Sequence, residues 1–375
     1  MKKINFNRVD FQGNEKKYIE ESIENGHISG DGFFTKACDA YFESQLGIKK
    51  SLLTTSCTHA LEIAALLIGI EPGDEIIVPS YTFVSTINAF VLRGAKPVFI
   101  DIRSDTLNMD ESKIEKLITS KTKAIVPVHY AGVGCEMDQI LEIAKKHNLV
   151  VIEDNAHGLF GKYKGKYLGT FGDMATQSFH ETKNFSCGEG GAIFFNESSY
   201  IDRAKIIREK GTNRSAFLQG QVDKYTWVDV GSSYLPSDLL AAFLLAQIER
   251  RQEIQKKRKN IWNNYNQRLK SWAMKNNVKL PYVPEYCDQA YHMFYIVLEN
   301  FKIRKEFMDY MKNKGILAVF HYVPLHSSEM GLKISANKNN CPITSEISER
   351  LVRLPFYNNL SIKSQDYVIE KIKEF

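Results

Sequence analysis

Between Ser51 and Phe195 short apolar runs alternate with stretches of helical spacing, and few folds accept that order. The runs are Ser51–Thr54, Glu75–Pro79, Lys96–Ile102, Thr122–Tyr130, Leu149–Ile152, Ala175–Phe179 and Ala192–Phe195. Ala60–Leu67, Val84–Leu92, Glu111–Leu117 and Met137–His147 repeat their apolar residues with the helical period between them. Strand and helix in alternation predict an α/β fold built on a large, mostly parallel sheet with helices on both faces. Ligands of such sheets bind beyond the carboxyl ends of the strands. Thr54–Thr58, Tyr81–Phe83, His129–Gly132, Asp154–His157 and Ser178–Lys183 all stand at or just past strand ends. These five polar stretches are therefore expected to meet at one rim.

The flanks are more helical. Glu15–Glu24 reads as a polar helix, the three glycines of Gly26–Gly32 break it, and Phe33–Phe42 resumes as an amphipathic one. Ala204–Lys210 is helical, Gly211–Gly231 is long and irregular, and Asp238–Leu269 reads as one long helix or two joined ones. The remainder reads as a smaller α/β lobe: strand His292–Val297, helix Arg304–Lys312, strand Ile316–Tyr322, helix Ser345–Leu351 and helix Ser364–Ile372. A division into a large domain over residues 1–245, N-terminal segment included, and a small one over 246–375 follows.

Composition excludes several classes. An apolar fraction of 43% with 25% charged residues is that of a globular enzyme, not a disordered chain. A net charge of +5 suits a phosphorylated small molecule and is too weak to indicate nucleic acid. Cys38, Cys57, Cys135, Cys187, Cys287 and Cys341 form no CxxC pair, so neither a metal site nor a disulfide framework is expected, and reduced thiols point to the cytoplasm. Met1–Asp10 has no apolar core like that of a secretory signal, and Ala60–Ile70 is too short and carries Glu62, so no membrane association is expected.

Lys183 lies between the runs Ala175–Phe179 and Ala192–Phe195, hard against Gly188-Glu189-Gly190-Gly191. A lysine placed there is suited to form a covalent imine with an aldehyde cofactor, pyridoxal phosphate being the obvious one. Such a cofactor needs a carboxylate for its ring nitrogen, and Asp154 ends an apolar strand. It needs an anion site, which Cys57, Thr58 and Ser178 can supply from a turn at the start of a helix. Phe83 can cover one ring face, and His157 can hold the ring hydroxyl or the opposite face. Freed from the imine, Lys183 can act as general base and acid, because a cationic, partly desolvated site lowers a lysine pKa.

Six phrases together resemble the DegT/DnrJ/EryC1/StrS family. They are Thr55-Ser56-Cys57-Thr58, Pro79-Ser80-Tyr81-Thr82-Phe83, Pro127–Gly132, Glu153-Asp154-Asn155-Ala156-His157, Ser178-Phe179 with Lys183, and Gly188–Gly191. The resemblance covers essentially the whole chain. It implies the aspartate aminotransferase (type I) fold, pyridoxal phosphate, L-glutamate as amino donor and a keto group on a nucleotide-linked 6-deoxyhexose as acceptor. It also implies a homodimer or larger homo-oligomer with the site at the subunit interface, and carries the roles above onto the residues named. Ser178–Asn184, Glu209–Ser215, Gly220–Trp227 and Ala318–His326 are similar to one branch, of the enterobacterial common antigen type. That branch aminates carbon 4 of dTDP-4-dehydro-6-deoxy-D-glucose to the galacto product. Two phrases depart from the family. Many members have Gly-Thr where this chain has Cys57-Thr58, so Cys57 is left its backbone N–H. Many donate an Asn from the partner subunit in a Gly-x-Asn-Tyr phrase, where this chain has Gly231-Ser232-Ser233-Tyr234 and Ser233 would substitute.

Acceptor choice is expected from His27–Gly32, Arg214–Trp227 and His321–His326, with His27, His129, Tyr130, Arg214 and His321 as candidate substrate contacts. The alternatives are amination at carbon 3 or formation of the gluco epimer. The sugar 3-dehydratase branch, which replaces the imine lysine by histidine, is opposed by Lys183. From another class comes an inactive scaffold serving as an interaction protein through its charged Glu249–Lys259 helix.

Overall fold

A computed structural model describes residues 3–218, 220–337 and 340–375; Gln219, inside the expected irregular stretch, lies outside the described residues, as do Met1 and Lys2. Its strands are β1 (Lys50–Thr54), β2 (Glu75–Pro79), β3 (Lys96–Ile100), β4 (Thr122–Ile125), β5 (Val150–Asp154), β6 (Lys162–Tyr163), β7 (Lys166–Tyr167), β8 (Met174–Ser178), β9 (Gly191–Phe195), β10 (Cys287–Asp288), β11 (Tyr295–Val297), β12 (Val319–Phe320) and β13 (Leu351–Arg353). A seven-stranded sheet has the order β1-β9-β8-β5-β4-β2-β3. β9 pairs antiparallel with both neighbours, whereas β8, β5, β4, β2 and β3 are joined by parallel pairings. The carboxyl ends of β1, β2, β5 and β8 thus share one edge, and β9 begins there.

Helices cover both faces. Cys57–Leu67 and Ser85–Val91 pack with Leu52, Ile76, Val78, Ile152 and Ile193 in one core. Phe33–Leu46 and Asp238–Glu249 close the other side around Phe42, Phe179 and Phe194. This is the α/β sandwich that alternating runs call for.

The small lobe packs around a three-stranded sheet, β11-β13-β12. The long helix Arg251–Lys275 joins the lobes: Ile254 belongs to the large core, whereas Ile261, Trp262 and Tyr265 belong to the small one. The N-terminal segment departs from the expected division. Ile4 pairs with Ile316 and is buried in the small-lobe core, so the chain starts in the lobe it later completes.

Two local expectations are corrected. Glu111–Leu117 is two 3-10 turns, Glu111–Lys113 and Glu115–Leu117, because Asp110 caps Ser112 N–H and, of the apolar residues there, only Ile114 is buried. The helix expected over Ser345–Leu351 runs Pro342–Arg350, and Leu351 opens β13, where Val352 is buried between β11 and β12.

Beneath the rim, Glu153 is fully buried. Its carboxylate accepts from His129 Nε2 and Gly169 N–H at 2.8 Å each, Phe171 N–H at 2.7 Å and Gly172 N–H at 2.8 Å. Burial pushes its pKa up, but the His129 contact and the backbone donors outweigh that and hold it below the usual carboxylate range. Glu153→Ala is expected to cost about 3–5 kcal/mol in urea unfolding, since four buried donors lose their acceptor. A lowered folded-state pKa stabilises fully above the unfolded carboxylate range, and that gain is lost as pH falls from there through the lower folded-state value. The acid limb of stability against pH should therefore be shallower in the variant.

Candidate active site

Reversal of β9 places Gly191 opposite Thr54 of β1 and Ser178 of β8. The loop 179–190 therefore leaves and re-enters the sheet at the same rim. Phe179 stacks on Phe42 at 5.6 Å inside the core, and its N–H bonds Gly190 O at 2.8 Å. Asn184 donates to Ala290 O at 2.7 Å and meets His292 Nδ1 at 3.0 Å through its own carbonyl. Lys183 stands between these two anchors, so its side chain has a fixed origin.

A cavity of about 750 Å³ opens at this rim. Lys183, Asp154, His157, Ser178, Cys57, Thr58 and Phe83 all line it, together with His321. Segments more than a hundred residues apart in the chain meet here because they are strand ends of one sheet. Among the described residues no cluster of three or more His, Cys, Asp or Glu could hold a metal ion, and no helix is long and apolar enough to cross a membrane.

Asp154 is buried and oriented from two sides. Thr86 donates to its Oδ2 at 2.7 Å, and the Ala156 N–H reaches its Oδ1 at 3.2 Å. Thr82 meets the Thr86 hydroxyl at 2.8 Å, so the carboxylate ends a chain of hydroxyls. Burial lowers the Lys183 pKa to about 8, against the opposing pull of Cys57 and Asp154. His157 stacks on His292 with ring centroids 4.2 Å apart, and its Nε2 meets the Tyr322 hydroxyl at 3.3 Å. Its Nδ1 is buried without a partner. Burial, with the nearby Lys183 and Arg353 charges, holds His157 and His321 well below the ordinary histidine pKa; His292 is lowered likewise, by burial first and then by His157. The site thus stacks neutral imidazoles beside one titratable lysine.

The anion cradle is the start of helix Cys57–Leu67. Ser56 is its N-cap and accepts from His59 N–H at 3.1 Å, while Ala60 N–H bonds Ser56 O. The N–H groups of Cys57 and Thr58 belong to the first turn, which has no intrahelical acceptors. Burial, then the Asp154 charge, pushes the Cys57 thiol far up, so it stays protonated. A Cβ on Gly191 would lie 2.3 Å from Ser56 C and 2.4 Å from Cys57 N, so a hydrogen there is what lets β9 lie against the cradle. An electron-sink ring with a phosphate finds its needs here: a fixed carboxylate, an imine-forming amine, free first-turn N–H groups and an unpartnered imidazole nitrogen.

The remaining sequence candidates lie elsewhere. His129 is a correction: it is fully buried, accepts from Cys135 N–H through Nδ1 at 3.1 Å and donates to Glu153, so it holds the floor and has no face on the cavity. Tyr130 is also buried and does not line the cavity; its hydroxyl meets His321 Nδ1 at 2.7 Å and its ring packs against His157 and Tyr322, which do. Arg214 is exposed and pairs with Glu209. His27 is exposed and folds back onto Gly30 O. Ser233 is exposed in a bridge with Glu209 and does not line this chain's cavity. Sequence reasoning missed Thr86, His292 and Arg353, and held Tyr322 only within the His321–His326 stretch. Thr86, one turn after Thr82, was the most accessible signal.

The chain is 33% identical over 379 residues to the GDP-perosamine synthase of Escherichia coli O157:H7, covering 100% of this chain and 99% of that protein. The aminotransferase TlmJ of Streptoalloteichus hindustanus superposes with a TM-score of 0.91 at 25% identity, over 100% of this chain and 98% of that one. The PLP form of the candidate sugar aminotransferase Spr1654 of Streptococcus pneumoniae gives 0.90 at 26% identity, over 100% and 98%, and its PMP form is equally similar. The cofactor is pyridoxal phosphate, and the fold is that of the aspartate aminotransferases. If Lys183 is the capturing amine, only its neutral form reacts, so the absorbance-monitored rate of loading apoprotein should rise with pH and level off above about 8. Lys183→Ala should show no such covalent capture. Gly191→Ala should weaken equilibrium cofactor binding at least about tenfold by displacing the first helical turn. A profile of the DegT/DnrJ/EryC1/StrS aminotransferase family matches residues 10–373, and to that family of pyridoxal-phosphate-dependent sugar aminotransferases the chain belongs.

Proposed function

We propose that this enzyme moves the amino group of L-glutamate to carbon 4 of dTDP-4-dehydro-6-deoxy-D-glucose. The product is dTDP-4-amino-4,6-dideoxy-D-galactose, for cell-surface polysaccharide synthesis. The observation that carries the chemistry is the convergence of Lys183, Asp154 and the Cys57–Thr58 turn on one cavity. The acceptor rests on the phrases Ser178–Asn184, Glu209–Ser215, Gly220–Trp227 and Ala318–His326.

When bound, pyridoxal phosphate supplies the electron sink that makes the donor's α-proton removable. Asp154, fixed by Thr86 and Ala156, holds a proton on the ring nitrogen. Cys57 and Thr58 N–H groups and the Ser178 hydroxyl hold the phosphate. With Tyr322 donating to Nε2, His157 keeps its proton on the unpartnered Nδ1 and gives it to the ring hydroxyl oxygen. Phe83, 57% exposed at the mouth, covers the ring and excludes water. Lys183 Nζ would take the proton from the donor's α-carbon and hold it for return; its pKa of about 8 leaves it able to do both near neutrality. The acceptor half runs the same transfers in reverse. In a homodimer or larger assembly, the exposed Ser233 is offered to the second subunit's site.

The nucleotide of the similar GDP-perosamine synthase favours a second reading, a GDP-linked acceptor. Incubation with pyridoxal phosphate, L-glutamate and either the dTDP- or the GDP-linked 4-dehydro-6-deoxyhexose separates them. Proton NMR should show a new axial amine at carbon 4 with the dTDP sugar. An equatorial amine, an amine at carbon 3 or turnover of the GDP sugar alone would each replace this assignment. No conversion of the cofactor by glutamate would overturn the donor.

A further inference from the structure

Arg258 is buried in the long helix that joins the lobes, yet among the described residues no carboxylate lies within ion-pairing distance of it. Its guanidinium spans three neutral oxygens instead. Nε donates to Tyr291 O at 2.8 Å, Nη2 to His292 O at 2.5 Å and Nη1 to Asn358 Oδ1 at 2.8 Å, with the Phe356 ring 4.7 Å away. Tyr291 has a φ of +52°, a left-handed conformation that is costly for an aromatic residue. Such a backbone persists only where its surroundings fix it. Here one side chain holds the carbonyls of Tyr291 and His292 together, and Ala290 N–H is tied to Gly132 O at 2.9 Å.

Segment 290–292 touches the cofactor site. Asn184, next to Lys183, donates from Nδ2 to Ala290 O at 2.7 Å. Its Oδ1 therefore faces His292 Nδ1 at 3.0 Å, and the imidazole donates there. Asn358 donates to Asn184 O at 3.4 Å. Arg258 thus reaches Asn184 by two routes, through His292 and through Asn358. The His292 ring also stacks on His157, 16° from parallel. We propose that Arg258 is a positioning residue for the cofactor site: it holds segment 290–292 and Asn358 against Asn184 and His157, and so sets where the Lys183 amine stands. This rests on Lys183 as the capturing amine and is independent of which sugar is aminated. An ammonium cannot serve equally, because it has no planar fork to span two successive carbonyls and an amide. Burial first, then His157, Lys183, Arg353 and Arg258, hold His292 well below the ordinary histidine pKa, so the stacked pair stays neutral beside Lys183.

The test compares full-length apoprotein of the wild type, Arg258→Met, Arg258→Lys, Asn184→Ala and the double variant Arg258→Met with Asn184→Ala. Each is mixed with pyridoxal phosphate across a pH series, well below its own melting temperature, and capture is followed by absorbance before any donor or sugar is added. In Arg258→Met the plateau rate should fall at least about tenfold, because the amine no longer has one fixed origin. The pH midpoint of capture should rise from about 8 toward the ordinary lysine value, as a looser Lys183 regains water. Arg258→Lys should recover part of both. The double variant should be no more than about twofold slower than the slower single one, since both substitutions break one path. A lowered melting temperature with rate and midpoint unmoved would overturn the proposal, and so would losses that multiply in the double variant. If Arg258→Met does not fold, Arg258→Lys alone and combined with Asn184→Ala carry the same comparison. Capture that persists in Lys183→Ala would overturn the lysine reading and this proposal with it. Capture lost in Lys183→Ala but unmoved in the Arg258 variants overturns this proposal alone.

Discussion

Neighbouring carboxylates at the end of β5 face opposite ways, and the site depends on that division. Successive side chains on a strand alternate between faces. Glu153 turns beneath the sheet and gathers three backbone N–H groups and the His129 ring. Asp154 turns into the cavity, where a hydroxyl and one N–H orient it and leave it room for a ligand. The first carboxylate is satisfied by the protein and fixes the strand end. The second is only partly satisfied, and its remaining capacity is the functional one. A one-residue slip of β5 would exchange the two roles.

The same economy governs the cationic side. Lys183 and Arg353 are brought into one cavity from different lobes, and both are desolvated there. Asp154 is the buried carboxylate that acts on Lys183, and around the two cations the structure places imidazoles held neutral and phenols held protonated. Such groups can hydrogen-bond a cation without neutralising it. The lysine remains within reach of its neutral form because burial lowers its pKa to about 8.

The rim itself was legible because its signals are local. Apolar runs followed by Asp154, Ser178 and the Ser56–Thr58 turn mark strand ends, and parallel topology puts strand ends together. These signals fall within six phrases that resemble one family, which the profile match bears out. His129 misled for an instructive reason: it lies past the end of β4 at the rim, but its side chain turns beneath the sheet to Glu153, and nothing in the local sequence says which way such a side chain turns. Thr86 escaped because a helical threonine is unremarkable until its partner is known.

What the sequence determined alone was the layered α/β architecture and the rim at which Lys183 and Asp154 meet in one cavity. Those follow from periodicities of two and 3.6 and from turn chemistry within a few residues of each strand end. What only tertiary structure decided was everything contributed across the chain. Ile4 joins the small-lobe core through Ile316, β9 turns back to lay Gly191 against Ser56, and β13 carries Arg353 into a cavity whose lysine is 170 positions earlier. No local pattern encodes such contacts, because their free energy comes from surfaces that meet only after the two lobes have formed.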